Sequence, residues 1–161
     1  MFVLFSGACS FEPDIDPGKF KRVSGAAQAV KASLSAETSY EQFGSLIEAL
    51  SGEIAALKGK TATREEEKLL KAYTTLAEVY QDGRTLWKFK LEFAPFGIVP
   101  DGRIYISQDV EPIVFKYSFP VENHLDKPTG KHWKSISEDS IRIIWSNADS
   151  QLKIIEEIAN N

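Results

Sequence analysis

Apolar residues recur along much of this chain at alternating steps of three and four. That spacing lays side chains along one stripe of an α-helix. Phe43, Ile47, Leu50, Ile54 and Leu57 form one stripe, which Leu46 widens. A second runs through Leu69, Tyr73, Leu76, Tyr80, Gly83, Trp87 and Leu91. Ser39 with Gln42, and Thr63 with Glu66, have the spacing of capping boxes at the two helix starts. Gly59 follows the first stripe, where a left-handed residue commonly ends a helix. Glu65, Glu66 and Glu67 fill the first turn of the second, where the helix dipole favours negative charge. The short connection between the stripes predicts an antiparallel helical hairpin. At the rise of an α-helix the second member is roughly 43 Å long against roughly 28 Å for the first, so its far end overhangs. Asp82-Gly83 is a common turn dipeptide, yet the stripe passes through it without a change of phase, which keeps it helical.

Phe20, Val23, Ala27, Val30 and Leu34 give a third stripe, separated from the next by a break at 35–39. Ile141, Trp145, Ala148, Leu152, Ile155 and Ala159 give a fourth, a helix over about 137–159 placed to cover the overhang. Ser135 with Glu138 reads as its capping box. Gly25, Gly44 and Gly52 fall inside helices, where each costs about 1 kcal/mol against alanine. Close helix approach is the expected compensation.

Between the second and fourth stripes the pattern changes. Pro100-Asp101-Gly102 is a turn that would join residues 96–99 to 103–107 as a small β-hairpin. Ile113, Phe115, Tyr117 and Phe119 alternate as in a strand, but the bounding Pro112 and Pro120 favour a short helix. Residues 120–134 read as a loop. The expected fold is therefore mainly α: an antiparallel helical hairpin extended to a three- or four-helix bundle, with a small β-hairpin near 96–107. Residues 19–161 form one helical domain, and residues 1–18 a signal-like segment and tether.

A net charge of −4, a pI near 5.3 and the lack of any basic block exclude a nucleic-acid backbone as partner, which demands clustered Lys and Arg. No run of eighteen apolar residues predicts a membrane-spanning helix. One cysteine, Cys9, allows no intramolecular disulfide. The stretch Phe2–Phe5 is apolar, Ser6-Gly7-Ala8 are small, and Cys9 follows. This resembles the end of a bacterial lipoprotein signal peptide, with Ser6 in place of the usual aliphatic residue and no basic residues ahead. The resemblance implies lipidation at Cys9 and a mature chain held on the membrane at the periplasmic side of the envelope. The alternative is a cytoplasmic chain in which Cys9 is a small core residue of a buried strand.

Candidate chemistry is sparse. Glu122, His124, Asp126 and His132 are suitable ligand types for zinc, but their spacing matches no metal motif, so neither metal nor cofactor is expected. His124 as a catalytic base has no nucleophile or orienting carboxylate beside it in sequence. No phosphate-binding glycine loop and no nucleophile elbow occurs. These absences give no support to an enzyme. Tyr73, Tyr80 and Trp87 make an aromatic ladder at seven-residue steps, which, with Phe96, either lines a ligand pocket or packs a core. Two functions follow as expectations. One is a lipid-anchored envelope protein acting as an interaction or scaffold module, on a protein partner or a second copy. The other is a small-molecule sensor or binding domain with an aromatic pocket near the β-hairpin.

Overall fold

The computed structural model describes residues 15–93 and 99–160. In chain order these form α1 (Pro17–Leu34), α2 (Tyr40–Leu57), α3 (Arg64–Phe93), β1 (Arg103–Tyr105), α4 (Glu111–Tyr117), β2 (Glu122–Asp126), β3 (Lys131–Ser137) and α5 (Asp139–Ala159). The fold is mainly helical with a small antiparallel sheet, as the apolar spacing predicted.

The helix starts follow local chemistry. Asp16 caps α1 by accepting from the Gly18 amide, with Pro17 in the first turn, so residues 16–18 open a helix rather than complete a tether. Both halves of the Ser39/Gln42 capping box form at α2. Thr63 Oγ1 accepts from the Glu66 amide at 3.1 Å at the start of α3. Gly59 ends the α2 region with a left-handed φ of 75°.

Long-range contacts fix the helix directions. Glu66, at the start of α3, meets the start of α1 through the Asp16 amide and Lys19. Arg22 of α1 pairs with Glu53, late in α2. Down the α3–α5 seam, the Gln151 amide reaches the Ala72 carbonyl, Gly83 faces Trp145, and Lys90 pairs with Glu138. So α1, α2, α3 and α5 alternate up and down around one core, and α5 covers the overhanging end of α3. Phe43, Leu50, Leu76, Leu86 and Ile144 lie in that core without solvent exposure.

Helix α3 runs straight through Asp82-Gly83. A Cβ on Gly83 would fall 2.2 Å from the Trp145 ring, and one on Gly44 would fall 2.2 Å from the Arg84 guanidinium. These two glycines admit a neighbour's bulk. Gly25 and Gly52 do not: nothing lies within 4 Å of a Cβ at either, so the close approach expected there is absent.

The insert between α3 and α5 is a three-stranded antiparallel sheet in the order β1-β3-β2, with α4 beside it. Residues 120–134, expected to be a loop, instead hold β2 and most of β3, joined by a turn with Gly130 at φ 67°. Their polar sequence hides the strands, because β2 is a largely exposed edge. β1 pairs with β3, and Ile104 faces Ile136 with both fully buried, which joins the sheet to the bundle core. Residues 96–98 of the expected hairpin lie outside the described residues. Ser135, expected as a cap, is a buried residue of β3. Helix α5 begins at Asp139 with Ser137 Oγ, not Ser135, accepting from its first amide, because pairing with β1 holds the chain extended through Ser137.

Residues 111–117 are helical, as the bounding prolines favoured. Helix α4 ends on Ser118 in the left-handed conformation and is pinned to α3 by Lys116 and Tyr117, which both reach Asp82. Among the described residues, no helix is long and apolar enough to cross a membrane.

Candidate ligand-binding clefts

At one end of the bundle the α1–α2 connection, the last turns of α3 and the first turns of α5 meet around a cleft of about 600 Å³. Its inner wall is aromatic. Phe43 is fully buried; its ring centroid lies 5.7 Å from that of Trp87 and 5.4 Å from that of Trp145, edge to face in the second case. Its outer side is ionic. Lys90 meets Glu138 at 3.1 Å and Arg142 meets Asp139 at 2.5 Å, with the Arg142 side chain 78% exposed. Indole rings behind a mixed-charge mouth suit a partly apolar small molecule with polar substituents.

Of the aromatic ladder, only Trp87 lines this cleft. Tyr80 is fully buried, 6.3 Å from Phe43 and 6.4 Å from Trp145 by ring centroids. Its hydroxyl has no hydrogen-bond partner among the described residues. Burial, with the nearby Asp149 carboxylate, pushes its pKa well above the ordinary phenol range. Tyr73 stacks on Phe20 and borders a separate hollow of about 470 Å³ at the opposite end of the bundle. Phe96 and Cys9 lie outside the described residues.

A second cleft, of about 570 Å³, opens between α3 and the segment before α4, with Arg84 and Lys88 on one wall and Gln108 and Asp109 on the other. Tyr40, at the start of α2, borders it, and the Tyr40–Trp87 edge-to-face pair, 5.8 Å between centroids, stands between the two clefts.

The polar residues of β2 assemble differently from a metal site. Glu122 and His124 share one sheet face with Arg103 and Ser135. Arg103 pairs with Glu122 at 2.8 Å and donates from Nε to Ser135 Oγ at 2.9 Å. His124 Nε2 lies 2.8 Å from the same Oγ, and its ring stacks on Trp133 with centroids 4.0 Å apart. So His124 does sit beside a hydroxyl, one brought across the hairpin by strand register. Ser135 is fully buried, and its oxygen joins all three strands through Arg103 and His124. Asp126 accepts from Thr129, in the turn. His132 pairs with Leu125, one register step from His124, and so falls on the opposite face. Among the described residues, no three His, Cys, Asp or Glu side chains converge to hold a metal ion.

Sequence spacing pointed to Trp87 but not to Trp145 or Arg84 as cleft residues. The available signal was Gly44 and Gly83, the helical glycines that make room for them. The chain matches no family model, no curated protein and no solved structure.

Proposed function

We propose that this chain is a small-molecule-binding domain whose ligand enters the cleft at the bundle end. The observation that carries the reading is the convergence of Phe43, Trp87 and Trp145 behind the ion pairs of Lys90 and Arg142. A pocket of this size with an apolar wall and a few placed polar groups is the usual form of a ligand site. Thermal unfolding against a broad metabolite library tests it, because a ligand that binds only the folded chain raises Tm by mass action. A binder of this cleft should also quench tryptophan fluorescence and lose its effect on Trp87→Leu. A library with no stabilising compound would count against the reading, and so would a hit indifferent to Trp87→Leu.

A second reading, a lipid-anchored interaction module of the bacterial envelope, is supported by different features. Ser6-Gly7-Ala8-Cys9 supplies a lipobox-like sequence. Around α4 and β2, Phe115 is 79% exposed, and Leu125 and Val121 are also exposed, the kind of surface that marks interaction sites. Membrane fractionation of the chain and of Cys9→Ala tests the anchor. Identical fractionation of the two would end that reading.

A further inference from the structure

Arg84 is a largely buried side chain with no close ionic partner among the described residues. Its side chain is 20% exposed, and of its nitrogens Nε alone is both shut off from water and without a hydrogen-bond partner among the described residues. The one carboxylate paired with it there is that of Glu48, 3.8 Å away and beyond hydrogen-bond reach. A charged group drawn partly out of water favours any partner that replaces the lost hydration. The fold holds the guanidinium in place. Gly44 removes the side chain that would occupy its position, and the Tyr40 ring lies 5.0 Å below its central carbon.

The surroundings specify what would complete it. Lys88, on the same helix one turn later, adds a second cation, itself loosely paired with Glu92 at 3.6 Å. Gln81 and Gln108 bring neutral amides, and Tyr40 and Phe89 bring aromatic walls. Asp109 is the carboxylate on the wall opposite Arg84 and Lys88 among the described lining residues. Glu48 and Glu92 hold Arg84 and Lys88 only loosely, at 3.8 and 3.6 Å, so both keep N–H groups for an added carboxylate, and Asp109 disfavours a bare dianion. A guanidinium fork matches a carboxylate, and an acid matches an ammonium group.

We propose that this second cleft binds a small zwitterion of the α-amino-acid class, its carboxylate on Arg84 and Lys88 and its ammonium on Asp109. The site shares no charged residue with the cleft at the bundle end, and it stands or falls separately from the function proposed for that cleft.

Titration calorimetry of the full chain against the standard amino acids, with acetate and inorganic phosphate alongside, tests the assignment. At least one free amino acid should bind with one-to-one stoichiometry, and its N-acetyl derivative should bind about tenfold more weakly or worse, having lost a charged contact. Arg84→Lys keeps the charge and loses the fork, and should weaken binding by about tenfold. Gly44→Ala is the sharper variant. The added methyl group displaces the end of a flexible side chain, so the helices should persist by circular dichroism while binding falls. Three results would overturn the proposal: no amino acid binds; acetate or phosphate binds as well as any amino acid; or the loss follows Trp145→Phe and not Arg84→Lys.

Discussion

The two halves of α3 treat buried polar groups in opposite ways. In the first half, Glu66 is almost fully buried and fully engaged: its carboxylate accepts from the Ala62 amide at 2.7 Å, from the Asp16 amide at 3.2 Å and from Lys19 Nζ at 2.5 Å. Burial alone would raise its pKa. The two amides and the ammonium outweigh that and hold it at about 2, well below the ordinary 4.5. In the second half, the Tyr80 hydroxyl and Arg84 Nε are buried without partners among the described residues. The two glycines that admit a neighbour's bulk serve this half as well: Gly83 receives Trp145 and Gly44 receives Arg84. Both proposed ligand clefts open on this half, while the first half borders only the hollow beside Tyr73 among the cavities described. Satisfied burial at one end and unsatisfied burial at the other separates a structural clamp from a region shaped for something to enter. Local rules of packing are broken most often where function requires it.

The largest effect should come from removing the clamp. Glu66→Ala strands two amides and Lys19, and should cost about 2–3 kcal/mol in urea denaturation. The same carboxylate predicts an acid dependence. Its folded pKa is depressed, so its contribution is fully present above the ordinary value of 4.5 and is lost as pH falls from there toward about 2. Glu66→Gln should flatten that part of the pH profile. If Glu66→Ala proves milder than any change in the second half of α3, the contrast between the halves collapses.

Gly83→Ala comes next. Alanine gains about 1 kcal/mol of helix propensity. Overpacking against the rigid Trp145 ring costs about 1–3 kcal/mol, so a net loss is expected, with a change in tryptophan fluorescence. Gly52→Ala sharpens the point from the other side. Nothing lies within 4 Å of its Cβ, so it should add up to about 1 kcal/mol. Two helical glycines, treated alike by propensity, should then give opposite signs in the same denaturation experiment.

This sign difference also marks what the sequence could and could not reveal. The helices were legible, because each buries one regular stripe. Even the risky Asp82-Gly83 dipeptide kept its phase, and α3 is continuous there. The sheet was poorly legible. β2 reads Glu-Asn-His-Leu-Asp and is largely exposed, so no apolar alternation announces it. Ser135 carried a plausible capping spacing that strand pairing overrode. Of the candidate sites, Trp87 was legible through its ladder, whereas Arg84 was not. A charged residue beside an apolar stripe looks like a solvated one until a glycine on the neighbouring helix is seen to leave it room.

The smallest predicted effect concerns the other unpartnered atom. Tyr80→Phe removes a buried hydroxyl with no partner among the described residues, while the ring keeps its contacts with Phe43 and Trp145. An unsatisfied buried group costs about 1–3 kcal/mol, and some of that should be recovered, for a gain of up to about 1 kcal/mol. The shift in urea midpoint at constant slope reads this directly. A loss of more than about 1 kcal/mol would mean that the hydroxyl is engaged after all. The second half of α3 would then be as well satisfied as the first at this position, and the distinction between clamp and opening would rest on Arg84 alone.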